Sequence, residues 1–310
     1  MVGDCTDSRT AMRLAIFRLN PSRIALLALL LQTPFLPAAE PLNPAKAAEP
    51  DSAAETAPES AEPKPAADAA LKFEDEITAR LIASPAGTDV QELKADDQRF
   101  IALWRPQQYG EEKGAVILLH DTGAHADWPG VIGPLRLILP RYGWNTLSLQ
   151  LGDSPPTPAR LRAALTFLAE QNAAPVVLLG HGVSAFDALR FAVSDASIEG
   201  LILIGMGHEE GTELLKETVC DIFDLLGDSD SLAVRKTAAS RRLEGRRLLR
   251  EEGKKNALPR YRQFVQQGAD HVFNGQDEVL KNRVRGWLQS WSKSREALNQ
   301  NTQNEEIQKP

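Results

Sequence analysis

Cysteine is almost absent: the chain has two in 310 residues, Cys5 and Cys220. That excludes a small scaffold held by disulfides. Without a cysteine pair or an H-x-x-x-H spacing, the five histidines fit no standard metal pattern, and no metal is expected. Basic residues are also short: 35 Lys and Arg face 42 Asp and Glu, a formal charge of -7, which argues against nucleic acid as a partner. No Gly-rich phosphate loop or dinucleotide fingerprint follows the first strand-like run, so no nucleotide cofactor is expected, nor any other. Apolar runs fall short of the ~20 residues that span a bilayer. Cys220, close to Val219 and Ile222, is expected to be a buried small hydrophobe.

The chain does contain an N-terminus shaped like an export signal. Arg13, Arg18 and Arg23 precede the apolar run from Ile24 to Leu31, and Leu36-Pro37-Ala38-Ala39 offers small residues for cleavage. Residues 1–39 are therefore expected to direct export to the periplasm and be removed, with Met12 as a candidate start. The alternative is an uncleaved anchor in the inner membrane. No Cys stands at the end of the apolar run, which argues against a lipoprotein. Residues 40–70 are rich in Ala, Pro and Glu without an aromatic, and read as a disordered acidic linker. Residues 293–310 read as a frayed polar tail, leaving 71–292 as one domain of ordinary size.

Inside that domain, strand-like and helix-like runs alternate. Helices are expected over Phe73–Ile82, Leu135–Tyr142, Thr157–Glu170, Phe186–Val193 and Val279–Trp291. Strands are expected over Thr88–Leu93, Arg99–Trp104, Ala115–Leu119, Trp144–Leu151, the run ending at Gly180, Leu201–Gly205, Val219–Leu226 and Gln263–Gln266. Alternation of this kind implies an α/β fold, a mostly parallel sheet with helices on both faces. Only about a dozen residues separate Gly205 from Val219, too few for a large lid domain.

Val176-Val177-Leu178-Leu179-Gly180-His181-Gly182-Val183-Ser184-Ala185 holds the most specific signal. It resembles the G-x-S-x-G turn of the α/β-hydrolase fold, in which a sharp strand-to-helix bend drives the nucleophile into the active site. Gly182 stands where the serine belongs. Glycine accepts the strained bend but has no hydroxyl, thiol or carboxylate. Ser184 is the alternative nucleophile, yet it falls in the first turn of the helix, in the slot of a small packing residue. Taking it as nucleophile would put Phe186 where a glycine is wanted.

The remaining parts of such a site are present in the required chain order. His120-Asp121-Thr122-Gly123 resembles the His-Gly-x-Gly loop that forms an oxyanion hole, with Asp121 in the place of a glycine. A carboxylate there opposes developing negative charge and weakens the case for acyl transfer. His120 itself reads more naturally as a residue bracing the loop. Gly227-Asp228-Ser229-Asp230 supplies the acid, by spacing Asp230, with Asp228 second. Gly268-Ala269-Asp270-His271-Val272-Phe273 supplies the histidine, His271. Catalytic candidates are thus His271, Asp230 and Ser184. Ligand-binding candidates are His120, Asp121, Thr122, His181, Gly182 and Val183.

The stretch Arg235–Arg262 is strongly cationic. Val234, Ala238, Leu243, Leu248 and Leu249 are expected to pack its helix, while Arg241, Arg242, Arg246, Arg247 and Arg250 could meet an anionic envelope surface. A solvated helix serves equally well as an explanation.

Three segments together point to a family: Gly114-Ala115-Val116-Ile117-Leu118-Leu119-His120-Asp121, Asp127-Trp128-Pro129-Gly130-Val131-Ile132-Gly133-Pro134-Leu135 and Tyr142-Gly143-Trp144-Asn145-Thr146-Leu147. They resemble an uncharacterised proteobacterial family of exported α/β-hydrolase-like proteins, number 3530 among the domains of unknown function. The resemblance spans about Phe73 to Trp291 and implies fold and export, with no established activity to transfer. The expected function is a non-catalytic descendant that binds a small ligand or envelope protein in the old cleft. The rivals are a hydrolase using Ser184, or a water activated by His271 and Asp230, and an envelope interaction protein working through its basic helix.

Overall fold

Runs rich in apolar residues form strands covered on both faces, and where Asn145, Thr146 and Ser148 interrupt one of them, their side chains are buried and hydrogen-bonded. Strands β3 (Gly114–Leu119), β4 (Trp144–Leu149) and β5 (Val176–His181) have every residue buried. Three more complete the parallel part: β6 (Ile198–Ile204), β7 (Asp221–Gly227) and β8 (Tyr261–Gln266). A hairpin of β1 (Val90–Ala95) and β2 (Gln98–Arg105) adds an antiparallel edge through β4. The eight-stranded order is β1-β2-β4-β3-β5-β6-β7-β8, with β3 to β8 mutually parallel. This computed structural model describes residues 64–152, 157–251 and 261–307, all within the compact unit Ser60–Pro310. The expected export signal and most of the expected linker lie outside the described residues.

Side chains alternate across the sheet with a period of two. Ala115, Ile117 and Leu119 face one core with helices α3 (Thr157–Glu170) and α4 (Val183–Ser194). Val116 and Leu118 face the other, with α2 (Ile132–Ile138) and α7 (Asp277–Ile307). Trp144, Trp287 and Trp291 knit that second core, Trp287 stacking on Trp291 at 5.8 Å and on Phe223 at 5.7 Å. Helix α1 (Lys64–Ala83) lies in a smaller cluster, with Ile77 and Leu81 against Ile101 and Leu103. Between β6 and β7 the chain forms only the short α5 (Gly211–Leu214) and turns, so no lid domain is inserted there.

Some boundaries depart from the sequence expectation. Helix α1 begins at Lys64, inside the segment read as linker. Helix α4 begins at Val183, directly after the bend, rather than at Phe186. Helix α7 carries on through the segment read as a frayed tail as far as Ile307. Its continuation is anchored by Trp291 and Ser292, both buried, by the Arg295–Glu199 ion pair, and by a 2.9 Å hydrogen bond from Ser292 to Glu296. Polar composition concealed this, because the segment mixes helix formers with Ser, Thr and Asn and has few apolar positions to set a period. Among the described residues, no helix is long and apolar enough to cross a membrane.

Candidate functional site

Parallel strands deliver loops to their C-terminal ends, where ligand sites of open α/β sheets form. Asp121 follows β3, Gly182 follows β5, Gly205 follows β6, Asp230 follows β7 and His271 follows β8. The bend at Gly182 has φ 60° and ψ -122°, the strained turn that the elbow pattern requires. Gly180 lets α4 close onto β5: a Cβ there would lie 2.4 Å from the Ser184 carbonyl oxygen. Gly205 makes room for the histidine, since its Cβ would fall 2.8 Å from His271 Cε1.

His271 is held on both sides. Its Nδ1 lies 3.0 Å from Asp230 Oδ1 and its Nε2 lies 3.0 Å from Asp121 Oδ2. The second oxygen of Asp121 accepts from the backbone N–H of Val183 at 2.8 Å and from that of Thr122 at 2.8 Å. These contacts follow the layout that the elbow pattern predicts, with one exchange. The N–H after the elbow and an N–H of the first loop would ordinarily receive a substrate oxyanion. Here they hold the protein's own carboxylate, set at the N-terminus of the 12-residue α4, where the helix dipole favours negative charge. A Cβ on Gly182 would meet Asp121 Cγ at 2.1 Å, so the carboxylate fills the space a nucleophile would need.

The charges follow from these contacts. The hydrogen bond with Asp121, reinforced by Asp230, raises the His271 pKa to about 10 against the cost of burial. Burial would push the Asp121 carboxyl up, but hydrogen bonds from His271, Val183 and Thr122 prevail and hold it at about 2. At neutral pH, His271 is an imidazolium clamped between two carboxylates. A protonated histidine cannot take a proton, so general-base chemistry at His271 would require release of this clamp. His181 stacks on His271 at 4.8 Å, and its Nε2 contacts the His271 carbonyl at 3.0 Å. Burial, then the charge on His271, lowers the His181 pKa.

The other candidates take quieter positions. His120 braces its loop: Nε2 accepts from the Leu151 N–H at 3.0 Å, so Nδ1 donates to the Asp121 carbonyl at 2.8 Å. Burial lowers its pKa to about 4. Ser184 is buried in the first turn of α4, while His271 Nε2 bonds Asp121. Asp228 caps the neighbouring turn by accepting from the Gly268 N–H at 2.8 Å, leaving Asp230 to His271.

Helix α6 (Leu232–Glu251) corrects two expectations. Arg241 is fully buried against Asp224, Nε to Oδ2 at 2.8 Å, and cannot reach a surface partner. Leu243, expected to pack the helix, is exposed, whereas Val234 and Ala238 do pack, against Leu226. Arg242, Arg246 and Arg247 are exposed. The side chains of Leu248, Leu249 and Arg250 lie outside the described residues.

Beside Asp121 a cleft of about 410 Å³ opens, lined by Thr122, Val183 and Ser184 together with Glu74, Gln150 and Asp187. The last three were not anticipated from sequence. Glu74 is placed there by Arg160, paired at 2.6 Å. No motif surrounds any of them, and only the fold brings them to the cleft. One available signal was missed. A carboxylate where the loop wants glycine, and glycine where the elbow wants a side chain, are complementary departures rather than separate ones.

Comparison with known proteins identifies the family and the fold. Residues 24–160 and 156–290 match the family described as "Protein of unknown function (DUF3530)". No curated protein matches the sequence. The chain is similar to solved structures of Est1E from Butyrivibrio proteoclasticus (TM-score 0.52, 11% identity, covering 65% of this chain and 98% of that one). It is also similar to the Pyrococcus furiosus esterase Pf2001 (TM-score 0.53, 15% identity, 66% and 92%). A third is dienelactone hydrolase from Anabaena variabilis ATCC 29413 (TM-score 0.52, 15% identity, 65% and 98%). At such identities the likeness is one of fold: the domain has the α/β-hydrolase fold.

Proposed function

We propose that this chain, which belongs to the DUF3530 family of proteins of unknown function, is an exported α/β-hydrolase-fold protein that has given up serine acyl transfer. In this reading it binds a small ligand or an envelope partner in the cleft beside Asp121, with His120, Thr122 and Val183 lining it; His181, also expected to bind, is buried and does not line the cleft. One observation carries it: the Asp121 carboxylate takes the oxyanion-hole N–H groups and the His271 Nε2 that acyl transfer needs free. Lining carboxylates Glu74, Asp121 and Asp187 would repel an anionic ligand and favour a neutral or cationic one.

Hydrolysis of short- and medium-chain p-nitrophenyl esters by the full chain tests the reading. No turnover is expected in the parent protein or in Ser184→Ala. Turnover lost in His271→Ala would overturn it. Survival of that turnover in Ser184→Ala would identify a water activated by His271 and Asp230 in place of a serine.

Export rests on the arginines and short apolar run before Ala39. Cell fractionation should find the chain soluble in the periplasm and shortened at its N-terminus. An intact chain in the membrane fraction would favour the inner-membrane anchor. Exposed Arg242, Arg246 and Arg247 support a further contact with an anionic envelope surface. Binding to anionic liposomes that falls steeply with salt is expected of it, and no binding at low salt would dismiss it.

A further inference from the structure

We propose that Asp121, His181 and His271 form a binding site for a divalent transition-metal cation, with zinc the ion their donors suit best. The proposal deepens the reading of a ligand-binding cleft, and rests on it, by naming an ion as part of what is bound. One donor atom from each of the three residues lies within 4.8 Å of the others. Two imidazoles and a carboxylate, with a fourth position left open, make a known zinc donor set.

Each donor is braced from behind, as metal ligands are. His271 Nδ1 faces Asp230, so Nε2 is the nitrogen turned toward the site. Asp121 has Oδ1 fixed by two backbone N–H groups, leaving Oδ2 to bind. His181 contacts the His271 carbonyl through Nε2. A carbonyl only accepts, so Nε2 carries the hydrogen and Nδ1 holds a bare lone pair.

That Nδ1 is buried and has no hydrogen-bond partner, on a side chain only 1% exposed. Leaving a buried acceptor unsatisfied is unfavourable, and a cation would satisfy it. Between Asp121 Oδ2 and His271 Nε2 the separation is 3.0 Å. Zinc bonds of about 2.0–2.1 Å set the edge of a tetrahedron at roughly 3.3 Å. The ion would therefore replace the proton shared by these two atoms with little movement of either. The displaced proton leaves to solvent.

Gly182 fits the same account. Its missing side chain is what lets the Asp121 carboxylate stand over the elbow. An open coordination position would face the adjoining cavity of about 250 Å³, where Gly182, Gly205 and Gly207 contribute no side chains.

The test is metal content. The full chain, stripped with a chelator, is dialysed against micromolar zinc chloride, and bound zinc is counted by mass spectrometry. One zinc per chain is expected. It should be retained in Cys220→Ala and His125→Ala, and lost in His181→Gln and His271→Gln, with circular dichroism confirming that each variant is folded. Asp230→Asn, which touches no ion, should weaken binding about 10–100-fold by releasing the His271 ring. Cobalt substitution should give the visible absorption of a four-coordinate ion, absent in Asp121→Asn. Substoichiometric zinc in the parent, or zinc that survives His181→Gln, overturns the proposal. Either result leaves the cleft as a site for an organic ligand, whereas ester turnover lost in His271→Ala would overturn that broader reading instead.

Discussion

The carboxylate of Asp121 and the α-carbon of Gly182 share one place: a Cβ built on Gly182 lies 2.1 Å from Asp121 Cγ and 2.2 Å from both its oxygens. Neither residue can change alone. A side chain at the elbow expels the carboxylate, and the carboxylate, once there, occupies the N–H groups that would stabilise an acyl-transfer transition state. The absence of a side chain at the elbow and the seating of a carboxylate on these N–H groups are one structural arrangement with two residues in it.

Gly182→Ser should therefore not restore a hydrolase. The single variant must push Asp121 off its donors, an overpacking that costs about 1–3 kcal/mol. Urea denaturation should show that loss, and p-nitrophenyl ester hydrolysis should stay absent. Asp121→Gly/Gly182→Ser should recover only part of that stability, because a side chain at φ 60° stays strained, and should gain turnover, since both the hole and the space for the hydroxyl are then free. A Gly182→Ser single variant as stable as the parent would show that the carboxylate does not compete for that position.

Arg241 and Asp224 are the pair on which the edge of the sheet depends. Both are fully buried, and Asp224 also accepts from Tyr261 Oη at 2.5 Å and Gln263 Nε2 at 2.9 Å. Arg241→Met leaves a buried carboxylate without its cation, a loss of about 3–5 kcal/mol. Replacing both partners, as Asp224→Leu/Arg241→Met, should cost clearly less, because no charge is then stranded. Chemical denaturation of the two variants compares them directly. Equal losses would mean that packing, not the ion pair, sets the cost.

Much of the site can be read along the chain, and the reason is local. Gly180-His181-Gly182, Asp230 and His271 each sit at a strand end where a few residues set the geometry, so spacing alone finds them. Where the Asp121 side chain points is different. It depends on the Val183 N–H, 62 residues away, and on His271, 150 residues away, neither of which any local pattern encodes. Arg241 was misplaced for a similar reason: in a cationic run every arginine looks solvated, and only Asp224 on the adjacent β7 distinguishes this one. The run of polar residues beyond Lys293 hid the end of α7, because its anchors are Trp291 and an ion pair to Glu199 rather than an apolar stripe.

Asp187 faces the cleft half-buried, and burial raises its pKa above the ordinary 3.8 despite the nearby charges of Arg190 and His208. The sign of its effect on stability follows. An acid that holds its proton more tightly when folded destabilises the fold once it ionises, so its cost is absent below 3.8, grows as pH rises through the folded pKa, and is complete at neutrality. Asp187→Asn should then stabilise the protein at pH 7 by less than about 1 kcal/mol, the limit set by solvent reaching the group. The gain should fade on acidification toward 3.8. Urea melts of parent and variant at both pH values measure it. A gain that is the same or larger in acid would mean that the substitution works through packing, and that the carboxylate is not the strained element of the cleft.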